Sequence, residues 1–304
     1  MASVSEYIQG ARPKTLSAAI VPVALGSSLS FWFLDNQDSS QLSRSGQSFS
    51  IPVMIGCLVV ALFLQIGVNY ANDYSDGVKG VDENRVGPMR LVGSGKASPK
   101  SVLYAMMMSF LVAAIAGIYV SSRSSWYFIL LGAVCIALAW FYTGSKHPYG
   151  YHGFGELVAF ICFGLVATVG TFYALVGEFA IESFYAGILT GLFSIAILLA
   201  NNIRDIATDT QTGKKTLAVR IGEKNAKLAF KLTFLFVAIS IFLLGMSIQH
   251  VWMALILLIL ALPIINKISK ATEARQYIEI LVATSKLNLL FGLVTSTLVI
   301  VNTL

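Results

Sequence analysis

Charge is what this 304-residue chain has least of: Asp, Glu, Lys and Arg together make up 12% of it, against 56% hydrophobic residues. With a mean hydropathy of +0.76, that proportion excludes an ordinary soluble domain and predicts a polytopic membrane protein. Cysteine is scarce too. Cys57, Cys135 and Cys162 stand far apart inside apolar runs, which argues against a disulfide framework or a cysteine-ligated metal and leaves them as packing residues. The histidines are equally few: His147 and His152 lack metal-ligand spacing, and His250 falls in a short turn on the opposite side of the membrane. No acidic residue lies in the middle of an apolar run. That absence argues against a secondary transporter with a cation site at the bilayer midplane.

What the chain does have is long apolar runs. Nine spans are expected, near residues 16–34, 51–68, 102–120, 126–141, 157–176, 184–200, 230–248, 251–266 and 287–303, each near the length that crosses a bilayer. The shortest, 251–266, follows the preceding span after little more than Gln249-His250, which predicts a tight hairpin at the membrane face. With the N-terminus inside, all of the 21 Lys and Arg except Arg44 and Arg123 fall on the inner side, as the positive-inside rule requires. The N-terminal residues 1–15 precede an apolar run of span length without a clear cleavage site, so the first span is expected to stay in the protein. The net charge of +6 is then mainly a topology signal, suited to anionic lipid and polyanionic substrates and giving little support to nucleic-acid binding.

Two acidic segments each finish an apolar run: Asn69-Tyr70-Ala71-Asn72-Asp73-Tyr74-Ser75-Asp76 and Asn201-Asn202-Ile203-Arg204-Asp205-Ile206-Ala207-Thr208-Asp209. Helical spacing gathers Asn69, Asn72, Asp73 and Asp76 on one face, and Asn201, Asn202, Asp205 and Asp209 on another. Carboxylates at a helix C-terminus meet the negative end of the macrodipole, so their clustering calls for a cation. Two converging oxygen-rich faces suit Mg²⁺, which takes one or two carboxylates and completes its shell with water and substrate phosphate. The Gly- and Lys-containing loops that follow both segments make a weak internal repeat offset by four spans, a parallel duplication that puts both copies on the cytoplasmic side. The loop after the first segment holds Lys79, Arg85 and Arg90, and the loop after the second holds Lys214, Lys215 and Arg220. These are candidate ligands for an anionic substrate. Arg204, beside Asp205, is placed to pair with a carboxylate or with a metal-bound pyrophosphate.

Nearly the whole chain resembles the UbiA superfamily of intramembrane aromatic prenyltransferases, and most closely its 1,4-dihydroxy-2-naphthoate branch in menaquinone synthesis. The likeness rests on Arg12-Pro13-Lys14-Thr15-Leu16, on Asn72 through Asp82, on Tyr142-Thr143-Gly144 with Gly153-Phe154-Gly155-Glu156, on Asn201 through Asp209, and on Gly213 through Arg220. It implies a single all-α membrane domain over residues 1–304, with nine transmembrane helices around a central cavity and the active site facing the cytoplasm of the cell (inner) membrane. It also implies Mg²⁺-dependent transfer of a polyprenyl group from polyprenyl pyrophosphate to 1,4-dihydroxy-2-naphthoate, with loss of CO₂ and pyrophosphate. Carried over by position, Asn72, Asp76, Asp205 and Asp209 hold the metal, with Asp73 and Asp82 as supporting carboxylates. Gly80 stands four residues after Asp76, a departure from the spacing of the hydroxybenzoate branch that weakens a direct metal role for Asp82. Arg12, Lys14 and, first among them, Lys146 are the candidates for the aromatic acid. Asn69, Asn201 and Tyr142 complete the expected substrate contacts, and Phe141, Tyr70 and Tyr74 are further candidate walls for an allylic cation. The same metal motifs serve relatives that prenylate 4-hydroxybenzoate or homogentisate, which stands as the alternative. A cation-coupled transporter is the more distant one.

Overall fold

The computed structural model describes residues 2–36, 49–80 and 89–303. Their main elements are helices joined by turns and short connections, in the order α1 (Val4–Gly10), α2 (Ser17–Asp35), α3 (Ile51–Val78), α4 (Pro99–Arg123), α5 (Tyr127–Phe141), α6 (Gly155–Val176), α7 (Ile181–Arg204), α8 (Ile206–Gln211), α9 (Leu217–Ser247), α10 (Gln249–Lys270) and α11 (Ala274–Val301). Eight of these are long and apolar enough to cross a bilayer. The ninth expected span is α5, whose 15 residues rise only about 22 Å, less than the ~30 Å hydrocarbon core.

Polar start signals set several boundaries. Ser98 caps α4 by accepting from the Ser101 amide, with Pro99 at the first helical position. Ser3 and Glu6 form a capping box on α1, and Glu273 with Gln276 forms another on α11. The expected hairpin before α10 is present: Ile248 is extended, and the Trp252 indole donates back to the Phe242 carbonyl at 3.1 Å. The expected span 251–266 is short because Gln249–Leu260 is wound as a 3-10 helix, which rises about 2.0 Å per residue instead of 1.5. Fewer residues then cover the same depth.

Two departures from regular helix matter for the site. Residues Phe160–Val166 of α6 form a π turn, and the second acidic segment breaks at Asp205 (φ −92°, ψ 3°), so Asp209 belongs to α8 rather than to a continuation of α7. The apolar core packs α2, α7, α9 and α11 together. Phe193 is its hub, with ring centroids 5.2 Å from Phe291 and 6.0 Å from Phe234. α3 packs separately along α4 around Tyr70, Val102, Met106 and Phe110. Between the two packed groups lies a cavity.

Candidate functional site

The cavity has a volume of about 460 Å³, within the usual range for a ligand site. Its walls come from α3, α4, α5, α6 and α7 and are apolar over most of their length. Asp76 lines one end and Cys57, on the same helix, lines the wall well below it. Nineteen residues separate them in the sequence, which at helical rise is about 28 Å, close to the depth of a bilayer core.

The polar end is where the two acidic segments meet, although 133 positions separate Asp76 from Asp209. Lys214 stands between them, its ammonium 3.9 Å from Asp76 and 3.8 Å from Asp209. Asp76 also faces Arg90 at 3.9 Å and accepts from the Tyr151 hydroxyl at 2.8 Å. The Tyr151 ring in turn lies under both Lys79 and Lys214, with the ammonium groups 5.1 and 5.0 Å from its centroid, a cation–π arrangement. Asn72 accepts from the Thr143 hydroxyl at 2.9 Å, and Lys79 donates to the Thr143 and Ser145 carbonyls at 2.6 and 3.2 Å. Burial pushes the Lys79 ammonium below its usual range, opposed by Asp76. The same cause, burial first and Glu156 next, raises the Tyr142 phenol, which keeps it a neutral hydroxyl at the cavity wall.

Asp205 is engaged differently. Arg204 donates to both of its oxygens at 2.7 Å and to the Asn201 side-chain oxygen at 2.8 Å, a bidentate pair. Asp73 accepts from the Leu91 and Val92 backbone amides at 2.7 and 2.9 Å. Asn69 donates to the Ala11 carbonyl at 2.9 Å, tying α3 to the segment that carries Arg12. Arg12 lines the cavity with its backbone in the left-handed region (φ 56°), a conformation uncommon for a non-glycine residue.

Of the expected site residues, Asn69, Asn72, Asp76, Arg90, Tyr142, Asn201, Lys214 and Arg12 line the cavity. Lys14, Lys146, Lys215 and Arg220 are exposed. Lys215 and Arg220 nonetheless hold the loop in place: the Lys215 amide donates to the Tyr151 carbonyl at 3.0 Å, and Arg220 donates to the Lys215 carbonyl at 3.1 Å. Asp82 and Arg85 lie outside the described residues. The residues not expected here are Tyr151, Thr143 and Glu156, whose buried carboxylate accepts from the Asn202 amide of the second acidic segment at 2.9 Å. The signal for Thr143 was its place inside the Tyr142-Thr143-Gly144 turn. Tyr151, one of 12 tyrosines, carries no such mark.

Among the described residues no three His, Cys, Asp or Glu side chains converge as a ready metal cage. The donor set still fits Mg²⁺: two carboxylates already flank one cation, with Asn72 of α3 and Asn201 and Asn202 of α7 lining the same cavity, and hard oxygen donors completed by substrate phosphate are what that ion takes.

A model of the UbiA prenyltransferase family matches residues 39–277. The chain is 40% identical to the 1,4-dihydroxy-2-naphthoate octaprenyltransferase of Mycobacterium tuberculosis (strain ATCC 25618 / H37Rv) over 281 residues, covering 92% of each protein. To the protein of the same description from Mycobacterium leprae (strain TN) it is 43% identical over 254 residues, 84% of this chain and 81% of that one. Its fold is similar to that of a UbiA homolog from Archaeoglobus fulgidus solved with DMAPP and Mg²⁺, with TM-score 0.61 and 14% identity over 96% of this chain and 99% of that one.

Proposed function

From the premise that the chain belongs to the UbiA prenyltransferase family, we propose that it transfers a polyprenyl group from polyprenyl pyrophosphate to 1,4-dihydroxy-2-naphthoate, a step of menaquinone synthesis. The acceptor is supported by the relatives' names at 40% and 43% identity. The observation that carries the chemistry is the meeting of Asp76 and Asp209 about Lys214 at the polar end of a deep apolar cavity.

The tail of the donor lies along the apolar wall and its pyrophosphate at the polar end, where Arg90, Lys214 and Arg204 neutralise the charge that grows as the allylic C–O bond breaks. Asn72, Asp76 and Asp209 would hold Mg²⁺ there, with Asp205, paired with Arg204, as the fourth candidate ligand. The bound ion supplies further stabilisation of the leaving group. The apolar walls exclude water from the allylic cation until the ring attacks it. Arg12 takes the acceptor's carboxylate. It lines the cavity, whereas Lys146 and Lys14 are exposed. The incoming prenyl group replaces that carboxylate, which leaves as CO₂.

The same reading gives nine crossings, with α5 as the short ninth, and places the N-terminus and the polar end on the cytoplasmic side of the inner membrane. The distribution of Lys and Arg supports that orientation. The test is turnover of 1,4-dihydroxy-2-naphthoate with a polyprenyl pyrophosphate in membranes containing the protein, with Mg²⁺ or excess chelator, product being read by mass. A decarboxylated prenyl-naphthoquinol formed only with Mg²⁺ is expected. Pyrophosphate release with 4-hydroxybenzoate or homogentisate alone would move the acceptor assignment and leave the donor site standing.

A further inference from the structure

Asp73 stands three residues before Asp76 on α3, is 1% exposed, and gives both carboxylate oxygens to backbone amides: Oδ2 to Leu91 at 2.7 Å and Oδ1 to Val92 at 2.9 Å. Such charge-assisted bonds are short and strong. The segment they hold is seated tightly. Leu91 is fully buried, a methyl group on Gly10 would come within 2.8 Å of its Cδ1, and a methyl group on Gly77 would come within 2.5 Å of Val92 Cγ1. The residue just ahead of this anchored pair is Arg90, itself buried, lining the cavity and 3.9 Å from Asp76. An arginine on a loop would ordinarily lose backbone and side-chain freedom on meeting its ligand. Here the backbone part is fixed beforehand.

We propose that Asp73 is a positioning residue: it locks the Leu91–Val92 backbone so that Arg90 is held over the pyrophosphate end of the cavity, and it is not a ligand of the metal. The inference rests on the pyrophosphate reading above. Asn72 and Asp76 line the cavity and Asp73 does not, its two oxygens being turned instead to the Leu91 and Val92 amides. Without the clamp Arg90 remains in the chain but is no longer preorganised.

The experiment is thermal-shift titration of the purified full-length protein in detergent with geranyl pyrophosphate at fixed Mg²⁺, and separately with Mg²⁺ alone. It compares the unaltered protein with Asp73→Asn, Arg90→Ala and the double variant. We expect Asp73→Asn to weaken geranyl pyrophosphate binding about tenfold, with the Mg²⁺ midpoint unchanged and the double variant no weaker than Arg90→Ala. Such non-additivity marks two residues acting through one contact. In turnover the KM for the pyrophosphate rises while that for the aromatic acid stays. Gly77→Ala, one helical turn along α3 from Asp73, presses on the Val92 side chain, gives the same signature and decides the matter should Asp73→Asn not fold. Additive losses in the double variant, or a Mg²⁺ midpoint displaced by Asp73→Asn, overturn the clamp. Failure of the unaltered protein to bind geranyl pyrophosphate overturns the donor-site reading and the clamp with it.

Discussion

Lys214 occupies the place between the two carboxylates that a divalent cation would contest, and its removal separates two effects that are usually confounded. Two unit charges 3.9 Å apart interact by about 4 kcal/mol at an effective dielectric of ~20. The ammonium meets both Asp76 and Asp209 at about that distance, with its side chain 14% exposed. In Lys214→Met the carboxylates face each other without it, at no more than about 8 Å, repelling by about 2 kcal/mol at the same dielectric. A metal ion then meets more negative charge and no competing cation. Because the lysine stem is flexible enough to recoil from an arriving ion, only part of its attraction opposes the metal. A gain of about 1.4 kcal/mol, or tenfold, is expected in Mg²⁺ affinity. Turnover moves the other way, falling on the order of 100-fold as one cation is lost from the leaving group. The assay is thermal stabilisation of purified protein against Mg²⁺ concentration, beside steady-state turnover at saturating Mg²⁺. Weaker Mg²⁺ binding in Lys214→Met would refute the idea that ammonium and metal share this place, and full turnover would remove Lys214 from the leaving-group site.

Other outcomes follow from the same geometry. Asp76→Asn and Asp209→Asn should each lower turnover on the order of 100-fold or more, with the protein still folded in detergent by size-exclusion profile. Normal rates at low Mg²⁺ would contradict the metal assignment. Gly132 lines the cavity with open space where a Cβ would be built, so Gly132→Phe should depress turnover of long polyprenyl pyrophosphates more than that of geranyl pyrophosphate. Equal effects on both would show that the tail does not pass it. Glu6, bonded to Lys96 at 2.7 Å, has its carboxyl pulled from 4.5 to about 2, chiefly by that lysine. A depressed carboxyl adds stability above its unfolded pKa and loses it as pH falls through the folded one. The melting-temperature gap between the unaltered protein and Glu6→Gln should therefore be present at pH 7 and shrink between about pH 4.5 and pH 2. A gap that is constant with pH would mean the charge is irrelevant.

How far the sequence announces all this differs by residue. The acidic faces are legible because apolar runs stop at them and helical spacing groups their side chains, and Asp76 does share the cavity wall with Asn69 and Asn72. The break at Asp205 is not legible: the sequence sets Arg204 beside a carboxylate it can pair with, but the turn that ends α7 there is a backbone property that residue spacing does not show. Of Lys146 and Arg12 the sequence favours Lys146, because it follows the Tyr142-Thr143-Gly144 turn. What reverses that order is the left-handed turn at Arg12, which leaves that residue on the cavity wall, while Lys146 is exposed. The function of Asp73 is likewise invisible in one dimension, because its partners are main-chain amides, and every residue but proline has one. The apolar runs fix where helices lie but understate their length: α3 runs ten residues past its expected end at 68, carrying polar residues in helical form out of the apolar zone.

The π turn at Phe160–Val166 gives the cavity wall one place where its sequence length is negotiable. A π turn holds more chain per turn than an α turn, so deleting one residue between 160 and 166 leaves a segment that closes into ordinary α geometry with both flanks still in register. The same deletion a few positions later, among Ala167–Val176, has no slack to absorb it and rotates the remainder of the helix by about 100°, carrying the loop into α7 with it. A single-residue deletion scan along α6 should therefore find one tolerant window inside an otherwise intolerant helix.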